Sequence, residues 1–376
     1  MERGASRPRL GPGFLLSAQG WPYLLLPFIP LAIALDVANA SEVAIFITAA
    51  LGIVPTAALM GRATEELSAR AGPGVGGLLN VTFGNAPELI IALFALGRGL
   101  HEVVKASLVG SILGNVLLVL GGAMLVGGWG RSKQTFSRTT ASAQTSMLLL
   151  AAAAFAMPAI FELVDGGGLP PVGAEQIDFG STVENLSLAV AVVLILTYLA
   201  GLYFSLRTHR DIFNPEYDHA DAWGWSARRA TAVLAISGVA VAVMSEVLVG
   251  SIEPAAHSLG LTEFFIGAII VAIVGNAAEH WVAILVAHKN QMDLAVNISV
   301  GSSAQIALFV APVLVICSFL IGPGPMPLVL NGFELGAVGL AVVIANYVTQ
   351  EGESNWFEGV QLLAIYAIVV IAFVAA

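Results

Sequence analysis

The chain has 376 residues, of which 57% are hydrophobic and only 11% charged, and its mean hydropathy is +0.88. Soluble domains carry about 25% charged residues, so this composition excludes a water-bathed globular fold and makes lipid the solvent. A net charge of −10 with no basic cluster gives no footing for a nucleic-acid partner, and a single cysteine, Cys317, excludes a disulfide framework within the chain.

A membrane helix needs about 20 mostly apolar residues. Eleven runs qualify in chain order: 21–38, 42–63, 75–97, 104–127, 141–163, 184–206, 229–250, 261–287, 294–320, 326–348 and 356–375. They are too long for the alternating strands of a membrane barrel. The first run ends in Ala38-Asn39-Ala40, a small-residue pattern that also suits signal-peptide cleavage, but Asp36 interrupts the apolar stretch before it. With the N-terminus inside, every Lys and Arg except Arg98 and Lys105 falls on the cytoplasmic side, from Arg3, Arg7 and Arg9 through Arg131, Lys133 and Arg138 to Lys289. An odd number of spans then places the C-terminus outside.

Two segments repeat. Gly84-Asn85-Ala86-Pro87-Glu88 is answered by Gly275-Asn276-Ala277-Ala278-Glu279, and the downstream pairs Gly110-Ser111 and Gly301-Ser302 keep the same offset. Upstream, Thr64-Glu65 answers Ser245-Glu246 at a shifted offset. The motifs fall in the third and eighth runs, five spans apart, so the copies enter the membrane in opposite directions. That is an inverted-topology repeat, the plan of many secondary transporters. The sequence therefore divides into a tail and first helix (1–40), a first repeat (41–206), a polar cytoplasmic linker (207–228) and a second repeat (229–376). The expected fold is an all-α integral membrane protein with one leading helix and two five-helix inverted halves.

Glu88 and Glu279 lie near the middle of their spans, where an ionised carboxylate costs about 2.5–3.5 kcal/mol on insertion scales. Their matched placement points to a paired-carboxylate cation site. Gly84, Pro87 and Gly275 weaken the helices just before them, which frees backbone carbonyls beside a cavity. Asn85, Asn276, Ser111, Ser302 and Gln305 add further oxygens. Such a hard donor set suits Ca²⁺, which takes 6–8 oxygen ligands, and the motifs contain no soft-metal ligands. Two carboxylates can be neutralised by one divalent cation or by two protons, so competition at one site can couple their movements. His280 reads as a partner-facing polar residue or a proton-tuning one. Glu65 and Glu246, near span ends, are gating candidates. Asp36, Glu334 and Glu358 read as interfacial charges, and Gly110 and Gly114 as packing contacts.

These residues resemble a known family. G-N-A-P-E-L-I-I-A-L (84–93) and V-G-N-A-A-E-H (274–280) are similar to the paired repeat motifs of the Ca²⁺/H⁺ exchangers, within the cation/Ca²⁺ exchanger superfamily. A-T-E-E-L (63–67), L-R-T-H (206–209), G-S-S-A-Q-I-A-L-F (301–309) and S-N-W-F-E-G (354–359) extend the likeness over nearly the whole chain. The resemblance implies Ca²⁺ held between the third and eighth helices and exchanged for protons, with Glu88 and Glu279 as the shared carboxylates, Asn85, Asn276, Ser111, Ser302 and Gln305 lining the site, and His280 as the motif histidine. Gly114 departs from it, standing where the first copy often has serine. The linker carries only Asp211, Glu216, Asp218 and Asp221, so an acidic regulatory segment is not expected.

The Na⁺-coupled branch is the nearest alternative, but its G-T-S-type motifs are replaced here by Gly-Asn-Ala in both copies. A cation channel would share the carboxylates without needing the inverted pair. No nucleophile–base or His-x-x-x-His pattern supports an intramembrane hydrolase, and no Walker sequence supports ATP drive. The expectations are a non-enzymatic antiporter without cofactors, with Ca²⁺, protons and the lipid bilayer as partners. A bacterial inner membrane is the expected location, and homo-oligomerisation is left open.

Overall fold

A computed structural model describes residues 17, 19–173, 179–208 and 224–376, with the side chains at 72–74, 77 and 81 outside the description. The basic tail Arg3, Arg7 and Arg9 lies outside the described residues, as does the linker portion 209–223 with its four acidic residues.

The described chain is nearly all helix. In order run α1 (Trp21–Val37), α2 (Glu42–Gly84), α3 (Ala86–Gly97), α4 (His101–Gly128), α5 (Arg138–Asp165), α6 (Ser181–Thr208), α7 (Ala227–Leu259), α8 (Glu263–His288), α9 (Met292–Ser318), α10 (Gly332–Thr349) and α11 (Trp356–Ala375). Among the described residues nine helices are long and apolar enough to cross a membrane: Glu42–Ala71 within α2, and α4 to α11. The pair Leu78–Gly84 and Ala86–Gly97, bent by 42° at Asn85, makes a tenth if it forms one span, and α1 is a shorter apolar helix over the first expected run. The protein is thus an integral membrane protein.

Local signals set the helix ends. Asn331 and Asn355 form capping boxes with Glu334 and Glu358, each side chain closing on the other's backbone N–H, an arrangement whose loss costs about 1 kcal/mol. The two glutamates expected as interfacial charges are therefore helix-start residues, and Glu334 is fully buried. The expected start of the tenth run at 326 moves to Gly332, because Pro323, Pro325 and Pro327 keep the preceding chain out of the α conformation.

By contact, the chain forms two compact units. The first takes residues up to Ile91, Leu199–Ala255 and Val274–Ala278; the second takes Ala92–Tyr198, Ala256–Ile273 and Glu279–Ala376. In the first unit, Met60, Ala86 and Val241 form a buried cluster with Phe83, Ile90 and Leu234 against it. A second cluster gathers Ala63, Trp225 and Ala230. Trp225, where description resumes after the linker, donates its backbone N–H to Glu66 Oε2 at 2.9 Å, and Arg229 lies 4.7 Å from its ring.

In the second unit, α4 crosses α8 in close backbone contact. A Cβ built at Gly110 would fall onto the carbonyl oxygen of Ala268, and one at Gly267 would come within 2.9 Å of the carbonyl of Val103. The expected packing role of Gly110 is thus literal. Lys105, counted with the outside charges in the sequence, is only 5% exposed. Its ammonium donates to the Val329 carbonyl at 3.2 Å and lies 5.4 Å from the Phe179 ring, which offsets the cost of burying a cation. At the other end a two-residue ladder pairs β1 (Gln134–Thr135) with β2 (Glu353–Ser354), Gln134 opposite Ser354.

Several helices contain π-helical turns. Gly114–Val119 in α4 and Ile306–Val310 in α9 fall at matched repeat positions; others lie at Ile266–Val271 and Asn297–Gly301. Such turns occur frequently at functional sites.

Candidate cation site

The first unit holds Glu88, Asn85, Asn276, Glu65 and Glu246. Asn85 ends α2 and accepts the first hydrogen bond of α3, from Leu89 N–H at 3.1 Å, so it stands at the break itself. Pro87 follows as the second residue of α3, where a missing N–H costs nothing. Glu88 is half-buried. Its side chain lies over Gly275, where an added Cβ would be 3.4 Å from Glu88 Cγ and 3.6 Å from Oε1. Gly275 therefore packs against the Glu88 side chain, and the weakening expected there is not seen, since Gly275 lies within the continuous helix Ala272–His288. Asn85 and Asn276 are both buried.

The two gating candidates are exposed at the molecular surface. Glu65 has a side chain 59% exposed and pairs with Arg62 at 2.8 Å. Its neighbour Glu66, 2% exposed, is the buried carboxylate of the pair and holds Trp225. Thr64 and Ser245, the other members of the upstream repeat, are buried and turn their hydroxyls to their own helices, at 2.9 Å to Met60 O and 2.7 Å to Val241 O. The sequence could not single out Glu66, because Val247 occupies the corresponding place in the second copy.

The second unit holds Glu279, His280, Ser111, Ser302 and Gln305. Here the motif helix is unbroken: Gly275 and Glu279 lie one turn apart within Ala272–His288. The hydroxyl of Ser302 donates to Glu279 Oε2 at 2.9 Å, bringing two of the expected residues together. His280 Nε2 lies 3.0 Å from Asn115 Oδ1, with both residues buried. Ser111 is buried and Gln305 half-buried. Asn115 escaped the sequence reading because its repeat counterpart is Ile306. A polar amide in the middle of an apolar span was the available signal.

Among the described residues no group of three or more His, Cys, Asp or Glu stands together as a metal cage. A cation would therefore need carboxylates supplemented by amide, hydroxyl and carbonyl oxygens, a donor set that fits Ca²⁺ far better than zinc or copper.

The family description "Sodium/calcium exchanger protein" matches residues 41–207 and 229–375. A Ca(2+)/H(+) antiporter of Synechocystis is 46% identical over 93% of the chain and 96% of the relative. The Ca(2+)/H(+) antiporter ChaA of Bacillus subtilis is 45% identical over 92% of the chain and 96% of its own length. Among solved structures, native YfkE superposes with a TM-score of 0.79 at 41% identity, covering 94% of this chain and all of that one. The H⁺/Ca²⁺ exchanger CAX shares the fold, with a TM-score of 0.71 at 14% identity over 96% of this chain and 93% of that one.

Proposed function

The chain belongs to the sodium/calcium exchanger protein family and is a Ca²⁺/H⁺ antiporter, and we propose that it exchanges the two ions by alternating access through Glu88 and Glu279, which bind Ca²⁺ or protons in turn. The observation that carries this reading is the accommodation of each matched glutamate inside its own unit: Glu88 packed beside Gly275, and Glu279 against the Ser302 hydroxyl. Carboxylates within a membrane span are costly, and here both copies keep and house one. Asn85, Asn276, Ser111, Ser302 and Gln305 are the supplementary oxygens, and His280 a polar neighbour of the carboxylates. Glu65 and Glu246 remain gating candidates at the surface.

The sign of the coupling follows from competition. Protonation removes the charges that hold the metal, so low pH favours release and high pH favours loading. In a cell with an inward proton gradient, protons run in and Ca²⁺ runs out. The placement of basic residues supports a cytoplasmic N-terminus and an outside C-terminus, with one leading helix followed by two five-helix inverted halves. A bacterial inner membrane is the location we infer, with no cofactor and no chemistry on substrate.

Purified protein in liposomes, loaded with radiolabelled Ca²⁺ under either a proton or a sodium gradient, tests the reading. We expect a proton gradient to drive uptake and a sodium gradient at matched pH to leave it at background. In detergent, the apparent Ca²⁺ affinity should fall steadily as the pH is lowered. An affinity that stays flat across the range where transport changes would mean that protons and Ca²⁺ do not share these carboxylates.

A further inference from the structure

At three matched positions the two repeats trade polarity. The first copy has Leu89, Gly114 and Asn115; the second has His280, Gln305 and Ile306 in the corresponding places. The second unit shows what joins three of these residues. The His280 ring lies over Gly114, its Cε1 3.8 Å from where a Cβ would stand. Its Nε2 meets Asn115 Oδ1 at 3.0 Å. Gly114 and Asn115 open the π-helical stretch Gly114–Val119, and the widened turn changes the register at which Asn115 leaves the helix. All of this is buried.

We propose that Asn115 is a positioning residue, which holds the His280 ring over Gly114 so that the histidine stands in for the side chain that the first repeat lacks there and the second repeat supplies as Gln305. This rests on the exchanger reading above.

The chemistry is specific. With the amide oriented as in the structure, Oδ1 faces the ring and can only accept, so this arrangement places the hydrogen on the ring nitrogen; the reversed amide would place it on Asn115 instead. In a neutral imidazole the lone pair is then fixed on Nδ1. A ring free to turn would offer either nitrogen; a ring tied at Nε2 offers one acceptor in one direction. That acceptor can receive a hydrogen bond from water attached to a hydrated cation, as the amide oxygen of Gln305 can from the other copy. The loss of a side chain at Gly114, a departure from the resemblance in sequence, is thereby compensated from the opposite repeat. Gly114 supplies the space and Asn115 supplies the direction.

The test combines a spectroscopic and a transport readout. Protein labelled with ¹⁵N at histidine, its His280 signal identified by loss in His280→Leu, should show the tautomer protonated at Nε2. Asn115→Leu should give a mixture of tautomers. In liposomes, Asn115→Leu should raise the apparent KM for Ca²⁺ about 5- to 10-fold, the scale of one lost buried hydrogen bond, with maximal rate changed far less. The same substitution in the His280→Leu background should add nothing, because its effect runs through the ring. Equal losses in both backgrounds would show that Asn115 acts merely on packing and would overturn the proposal. So would a His280 ring protonated at Nδ1 in the unmutated protein, a result that needs no variant to fold. The tautomer does not depend on where ions bind, so its failure is distinguishable from failure of the shared-carboxylate reading.

Discussion

The two G-N-A-x-E motifs are nearly the same in sequence and differ in form. Around Asn85 the helix breaks, with a 42° bend between Leu78–Gly84 and Ala86–Gly97. Around Asn276 it runs straight through Ala272–His288, and the irregularity lies earlier, in the π turn Ile266–Val271. The two motifs differ there in one residue. Pro87 has no N–H to bond back to the Phe83 carbonyl, and its ring crowds that carbonyl. Ala278 in the other copy imposes neither constraint. Matched residues are thus carried on two different backbones, and the proposed exchange places the requirement in the carboxylates and amides rather than in the break.

If that is right, the glutamates should be equally indispensable despite their unequal settings. Glu88→Gln and Glu279→Gln should each lower Ca²⁺ uptake into liposomes by about 100-fold or more, beyond the roughly 10–100-fold typical of groups that only support a ligand. Both should still insert and elute as the parent does. A large loss for one and near-normal uptake for the other would break the equivalence.

The backbones should respond in opposite ways. Ala278→Pro places a proline inside a continuous helix and should cost about 3 kcal/mol, seen as a marked fall in the aggregation temperature of detergent-solubilised protein. Pro87→Ala, at the second residue of α3, should cost about 1 kcal/mol or less. Similar losses for both would show that the straight copy tolerates a break as well as the bent one does.

A smaller effect sharpens the difference between the glycines. A methyl at Gly275 would stand in van der Waals contact with the Glu88 side chain, whereas a methyl at Gly84 meets nothing within 4 Å among the described residues. Gly275→Ala should raise the apparent KM for Ca²⁺ by about 3-fold, because the added methyl narrows the room in which the carboxylate can turn. Gly84→Ala should stay within about 2-fold, since alanine is the better helix former. Equal effects in the same uptake assay would mean that the glycine serves the backbone in both copies.

Much of this was legible in the chain because lipid enforces simple rules. Long apolar runs had to be helices, and mid-span charges had to be housed. Glu88, Glu279 and Ser302 stand out in the sequence because repetition marks residues that packing alone would not repeat. What the repeat did not duplicate stayed hidden. Glu66 and Asn115 have Val247 and Ile306 as counterparts, so a search for symmetry passed over them. The start of α10 was misjudged because the apolar residues at 326–330 read as membrane-like, while the prolines beside them decide the conformation. The π turns carry no local signature of composition; they follow from how neighbouring helices pack.

The bare crossing of α4 and α8 has a mechanical consequence. Where Gly110 meets Ala268 the two backbones approach directly, which leaves a tilt about the contact as the simplest relative movement of the helices. A tilt of α4 by about 5° about this point would carry its C-terminal end, roughly 27 Å away at 1.5 Å per residue, through about 2 Å. Ser111 and Asn115, one and five residues from the crossing, would move by only about 0.1 and 0.7 Å in the same tilt. A glycine crossing at this place thus keeps the polar residues beside it nearly still while the far end of the helix swings.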